Sequence, residues 1–595
     1  MHHSLVEAPP PGFEPREADP RAGLFGVAYQ DYATPISEPL RKQLVNRHRL
    51  EKQDPGAEVS DPVEPIVYYL DPGTPEPIRS ALLDGARWWN QAFEAAGYRD
   101  AFQVRMLPDD ADPLDVRYNI INWVHRSTRG WSYGGGVTDP RTGEIIKGQV
   151  ALGSLRVRQD FLIAEGLLSP YEDGDTVPPE MGEMALARLR QLSAHEVGHT
   201  LGLAHNYIAS AQGRASVMDY PHPLATLNED GTIDLSDAYD TGIGEWDEIA
   251  VAYAYQDFPE GTDEAEALEA ILMDGMERGY AFISDADARP AGSAHPQVHL
   301  WDNGADAVAE LERMMEVRRA ALGRFGERAI RDGEPLATIE EALVPLYLHH
   351  RYQIEAASKV VGGLYYTYAL RGDGQQPLSL VPAGEQEAAL GALLATLSPE
   401  ALALPRPILE TLPPRPFRYG PHRELFPRTT GVVFDPVAPA AVAADMTLEM
   451  LLHPERAARL TLQPAWDETL PSLESVIDRV VEATFDPAYG DPYEAAVDRV
   501  VEERVVQAPM DLADDARLAQ ARAVTRAALR DLAARLWEDA EGADSADAAH
   551  YTTLAEQIDT FLARPMEPLE PAPELQAPPG SPIGSGSVPP LRCDW

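Results

Sequence analysis

The residues best placed to do chemistry lie in one run, His195-Glu196-Val197-Gly198-His199-Thr200-Leu201-Gly202-Leu203-Ala204-His205. The pattern is H-E-x-x-H-x-x-G-x-x-H. Residues four apart share a helix face, so His195 and His199 turn both imidazoles to one point. Two ring nitrogens at about 2.0–2.1 Å suit a zinc ion. Glu196 stands beside the first ligand without taking a coordination position. It is the candidate general base toward a water that the metal activates. Gly202 lets the backbone leave the helix through a left-handed conformation. That turn brings His205 round as the third ligand. Three protein ligands leave one position open, which marks a catalytic rather than a structural zinc. One catalytic Zn2+ is therefore expected. A bare H-E-x-x-H arises by accident far more readily than this extended form.

Elements of the right kind surround the motif. Residues 182–204 form one continuous helical pattern. Upstream, residues 66–70 (IVYYL) predict a buried strand. Residues 77–96 repeat apolar side chains at helical spacing, with Gly97 as the stop. Residues 102–107, 116–124 and 144–152 predict further strands, and 131–137 is glycine-rich. Strand, helix, several strands and then a histidine-bearing helix make an α+β arrangement. Beyond about residue 240 long helical patterns take over, among them 305–332, 339–370 and 514–540.

Composition bounds the function. Hydrophobic residues at 44% and charged residues at 24% rule out wholesale disorder. A net charge of −47 argues against nucleic acid and against an anionic membrane surface as partners. No apolar run approaches the roughly 20 residues of a membrane span. The single cysteine, Cys593, allows no intramolecular disulfide, no cysteine zinc cage and no cysteine-switch latency. The N-terminus has neither a basic n-region nor an apolar h-region, so no signal peptide is expected in this chain.

Shortly after His205 comes Ser216-Val217-Met218-Asp219-Tyr220. Here the chain resembles the metzincin clan of zinc endopeptidases, in which a methionine-containing turn lies beneath three histidines. The resemblance implies that Met218 is that methionine. It makes Tyr220 a candidate zinc ligand or oxyanion stabiliser, with ordinary packing as the alternative. It implies a twisted mixed sheet whose edge strand pairs with extended substrate; residues 131–137 or 149–153 are the candidate edges. Across nearly its full length the chain also resembles a bacterial family of zinc-dependent metalloproteases with segments of unknown function. His3-Ser4-Leu5, Asp139-Pro140-Arg141-Thr142-Gly143-Glu144, Trp301-Asp302-Asn303-Gly304 and His350-Arg351-Tyr352-Gln353 carry that likeness. Membership implies an exported protein.

The expected organisation is an extended arm over 1–64 and a metzincin-like catalytic domain over 65–260. A mainly helical region over 261–564 and a Pro/Gly-rich tail over 565–595 follow. The expected function is a zinc endopeptidase acting on peptide or protein, with His195, His199 and His205 on the metal, Glu196 as base and Tyr220 assisting. Two other classes stay open: a zinc-holding peptide-binding protein, and a hydrolase of cell-wall peptide amides. Elsewhere, His349 and His350 are expected to pack within the helical region rather than bind a second metal. His222 is expected on an exposed loop, and His125 near the substrate edge.

Overall fold

The computed structural model describes residues 5–568 apart from 127–130, 173, 175, 486–490, 544 and 567. His2, His3 and most of the C-terminal tail, Cys593 included, lie outside the described residues. The N-terminal segment contributes an antiparallel hairpin, β1 (Gly26–Gln30) with β2 (Arg41–Val45). Its flanks are stitched into the body. Leu24 bridges Leu203 and Arg47 bridges Glu144. Arg16, 4% exposed, donates to the Tyr253 carbonyl at 2.7 Å. A buried guanidinium satisfied in this way holds the arm by more than apolar contact.

The central sheet holds β3 (Ile66–Leu70), β4 (Phe102–Met106), β5 (Asn119–Val124), β6 (Tyr133–Thr138) and β7 (Ile145–Gly153) in the order β4-β3-β5-β7-β6. In β3 the alternate residues Ile66, Tyr68 and Leu70 are buried, the period-2 signature of one covered face. All pairings are parallel except β6 with β7. Those two are joined by the tight turn at Asp139–Gly143, where Gly143 N–H donates to Asp139 O at 2.9 Å. A short turn can only return the chain antiparallel. Of the two candidate segments, β6 lies at the edge of the sheet, whereas residues 149–153 belong to β7 and are interior.

Helices cover the sheet. The helix expected over 77–96 is divided into α1 (Ile78–Arg87) and α2 (Trp89–Ala95), where Trp88 N–H takes the nearer Gly85 carbonyl in a tightened turn. Then come α3 (Arg156–Leu168) and α4 (Pro179–Thr200), which opens on a proline at its first position. After them run α5 (Glu245–Tyr255), α6 (Glu264–Glu277), the single turn α7 (Asp285–Ala288), α8 (Ala307–Leu322), α9 (Ile339–Tyr347) and α10 (Arg351–Val360). The pattern over 339–370 does not continue as helix. Gly362 at φ 64° ends it, and Leu364–Tyr366 pairs as a strand with Leu378–Leu380. Further helices extend from Ala383–Ala395 to Ser545–Ala563.

Two hydrophobic cores result, and α4 serves both. Met181 and Met184, in its first half, pack with α3, α8, α9 and the helical region. Leu189, Leu192, Ala194 and Val197, in its second half, pack with the sheet, α1, α2 and α5. The half that carries the histidines, residues 191–200, is buried apart from half-buried His199, and a core at each end holds the helix in place. Among the described residues no single helix is long and apolar enough to cross a membrane.

Candidate metal centre

The last turn of α4 places His195, Glu196 and His199. The chain then turns at Gly202, whose φ is 104°. A Cβ there would stand 2.1 Å from the Asn46 carbonyl oxygen, so the arm closes on this turn as tightly as glycine allows. Phe25 N–H donates to Gly202 O at 2.7 Å, and Ala204 N–H to Gly23 O at 2.9 Å. His205 emerges on the far side. One ring nitrogen from each of His195, His199 and His205 lies within 4.8 Å of the others. Among the described residues no other three of His, Cys, Asp and Glu converge in this way.

The hydrogen bonds fix the tautomers. His195 Nδ1 faces Val217 O at 2.7 Å, and His199 Nδ1 faces Leu203 O at 2.9 Å. His205 Nδ1 faces both Asp285 oxygens, at 2.9 and 3.1 Å. These partners can only accept, so each Nδ1 carries a proton, and in the neutral ring Nε2 is the nitrogen that keeps a lone pair. His195 Nε2 is buried with no hydrogen-bond partner. His199 Nε2 and His205 Nε2 stand 3.1 Å apart, and in these tautomers no proton lies between them. Three ring nitrogens facing one another at this spacing suit a metal cation. Burial holds the His195 and His199 rings below their usual pKa, His199 at about 4, so both present neutral nitrogen.

Glu196 is 5% exposed. Burial pushes its carboxyl up to about 8, against the pull of Arg188 and the Gly134 backbone N–H. Gly134 belongs to β6, and a Cβ on it would meet the Glu196 carbonyl oxygen at 2.0 Å. The edge strand therefore lies directly against the histidine helix.

A family model described as Met-zincin matches residues 178–491, more than half of the chain. The chain belongs to the Met-zincin family. Residues 1–53 match a second family model, described as a domain of unknown function. Searches of curated proteins and of solved structures return no match. Membership and the three-histidine cluster together support a zinc metallopeptidase.

In this Met-zincin, Met218 is fully buried and lies under α4 at Gly198, between the first two histidines. The turn around it is pinned by Asp247 of α5. Asp247 accepts from Ser216 Oγ at 2.6 Å, Val217 N–H at 2.8 Å and Gly244 N–H at 2.8 Å. The Tyr220 ring lies 5.1 Å from His195 and 4.9 Å from His205, centroid to centroid. Behind it Trp301, in the left-handed region at φ 63°, packs ring to ring at 5.1 Å and donates its backbone N–H to the Tyr220 main-chain carbonyl at 2.7 Å. Gln353 in turn donates to Trp301 O at 3.1 Å. The phrases around Trp301 and Gln353, to which sequence reasoning attached no role, thus meet behind Tyr220.

Other residues at the site were not foreseen. Phe25 lies 5.8 Å from the His199 ring. Asp285, Arg289 and Tyr207 gather beside His205; Tyr207 is stacked on it at 5.1 Å. Burial would raise Asp285, but hydrogen bonds from His205 and Arg289 outweigh it and hold the carboxyl well below the usual range. No spacing rule marks these positions. Expectation and structure part over His222. It is 2% exposed, not on an exposed loop, and packs on His349 at 4.7 Å between ring centroids. His349 and His350 are each 1% exposed. His125 is exposed and meets Ser154 Oγ at 3.0 Å.

Proposed function

We propose that this Met-zincin is a zinc-dependent endopeptidase. The observation that carries the reading is the set of three Nε2 lone pairs turned on one point beside a buried glutamate. His195, His199 and His205 would hold the ion. Bound there, zinc supplies Lewis-acid chemistry, polarising a carbonyl and making a water more acidic.

The chain's own residues supply the rest. Substrate lies extended along β6, which among the described strands pairs only with β7 and has its other edge free. Glu196, in the carboxylate form that a zinc ion held beside it would favour, takes a proton from the water as the water oxygen bonds to the scissile carbonyl carbon. The carboxyl then delivers that proton to the amide nitrogen as the C–N bond breaks, leaving an acid and an amine. Arg289 Nη2 donates to the Tyr220 oxygen at 3.4 Å. That contact uses an acceptor site on the hydroxyl and leaves its proton free to donate to the carbonyl oxygen as charge develops there. Met218 supports the helix from beneath, as the methionine-containing turn of the clan does.

A diverse peptide library incubated with zinc-loaded wild type and Glu196→Gln tests this. Internal cleavage by wild type, reduced about 10²- to 10⁴-fold in a variant that still binds zinc, is expected. Equal cleavage by the variant would remove Glu196 from the mechanism. Zinc binding without cleavage of any peptide would favour a peptide-binding role.

A further inference from the structure

His205 differs from the other two histidines in what holds it. His195 and His199 lean on main-chain carbonyls, Val217 O 22 residues on and Leu203 O four residues on. His205 leans on a carboxylate 80 residues further along the chain. Asp285 opens the single turn α7 and reaches His205 Nδ1 with both oxygens, at 2.9 and 3.1 Å. It is itself held. Arg289, one turn on, binds Asp285 Oδ1 through Nε, and Ser284 Oγ donates to Oδ2 at 3.2 Å. The Arg289 guanidinium lies 5.4 Å from the Tyr207 ring centroid and 5.3 Å from that of Tyr220. The segment leading into α7 is anchored from outside as well. Tyr207 N–H donates to Ile283 O at 2.9 Å, and Asn206 Nδ2 donates to Ala281 O at 2.9 Å.

We propose that Asp285 is the positioning residue of the metal centre. It holds the His205 ring as the Nδ1–H tautomer with Nε2 turned toward His199, and Arg289 keeps the carboxylate aimed. The physical need is specific to this ligand. His205 follows a glycine turn and sits outside the helix, so helical geometry does not set its ring angle. A carboxylate partner supplies that orientation and raises the basicity of the coordinating nitrogen. The proposal rests on reading the three histidines as a metal site, but not on peptide cleavage.

The test compares wild type, Asp285→Ala, Asp285→Asn and Asp287→Asn. Asp287 lies on the same turn but binds the hydroxyls of Tyr366 and Tyr368, so it controls for disturbance of α7. Zinc affinity is read by competition with a chromogenic chelator. Asp285→Ala should weaken it about 10- to 100-fold. Asp285→Asn keeps an acceptor oxygen and should fall between Ala and wild type. Asp287→Asn should match wild type. Metal-free protein labelled with 15N-histidine gives a second readout, with His205 assigned from the signal lost in His205→Gln. Its Nδ1–H tautomer should dominate in wild type and give way in Asp285→Ala. An unchanged tautomer together with unchanged zinc affinity in Asp285→Ala overturns the proposal. So does equal weakening by Asp287→Asn. A wild type that binds zinc but cleaves no peptide defeats the peptidase reading and leaves this one standing. A wild type that binds no zinc overturns the proposal together with the metal-site reading on which it rests.

Discussion

Gly198→Ala tests how the histidine helix is seated. Gly198 follows His195 by three residues and precedes His199 by one. A Cβ at this position would stand 2.3 Å from Met218 Sδ and 2.5 Å from Trp89 Cζ2. Ordinary contact begins near 3.4 Å, so the added methyl overlaps two side chains by about 1 Å each. Trp89 has no room to retreat. It is fully buried, and its Nε1–H donates to Ala194 O of the same helix at 2.7 Å. Met218 is the more adaptable neighbour, with several rotatable bonds, but it is fully buried too. Overpacking of this size costs about 1–3 kcal/mol. Met218→Ala alone leaves a cavity and costs about 2–5 kcal/mol. The two changes relieve each other in part, because the space vacated by Met218 accepts the methyl. The double variant should therefore be more stable than the sum of the singles by about 0.5–3 kcal/mol. Trp89 remains in place, so the rescue is incomplete. Urea denaturation of the four proteins, followed by tryptophan fluorescence, measures the cycle. Zinc competition on the same samples should show weaker binding in Gly198→Ala, because lifting α4 moves His195 and His199 together. A Gly198→Ala protein as stable as wild type, or strict additivity in the double, would refute the reasoning.

Gly134→Ala and Gly135→Ala should behave in opposite ways although they are neighbours on β6. The first Cβ would stand 2.0 Å from the Glu196 carbonyl oxygen, a backbone atom that cannot yield, whereas the second meets nothing within 4 Å. Hydrogen exchange of the β6 amides should speed up in Gly134→Ala, at a cost of about 1–3 kcal/mol, and stay unchanged in Gly135→Ala; the same response in both would contradict the placement of β6. Asp247 predicts a pH dependence. Burial pushes its carboxyl from 3.8 up to about 7, partly countered by the bonds from Ser216, Val217 and Gly244. Between those values the folded chain keeps a proton that the unfolded chain has released, so this group's contribution to stability falls as pH rises through the window and is flat above it. Urea midpoints of wild type minus Asp247→Asn should decline across that range, and a difference that is level or rising would be inconsistent with the burial of Asp247.

The division between what sequence and structure each reveal follows the range of the forces involved. Strand β3 was legible because alternation of apolar side chains is a local property of five residues. The helix carrying His195, Glu196 and His199 was legible for the same reason, since a four-residue interval in a helix needs no tertiary information. The boundaries were less so. The pattern over 77–96 gave no warning of the break at Trp88, because amphipathic spacing continues across a tightened turn. Apolar periodicity over 339–370 likewise concealed the stop at Gly362 and the strand beyond it.

By itself, the sequence determined the run of histidines proposed to hold the metal. Eleven consecutive residues contain a helical turn that sets His195 and His199 on one face, a glycine exit and a third imidazole beyond it, all within reach of backbone stereochemistry over that short span. Only the tertiary structure decided what surrounds them. Asp285 on His205, Phe25 against His199, Trp301 behind Tyr220 and Gly134 against Glu196 are contacts between segments far apart in the chain. The burial of His222 against His349 is another. Such meetings depend on how two cores pack on a shared helix, and no local period in the chain encodes which distant side chain arrives there.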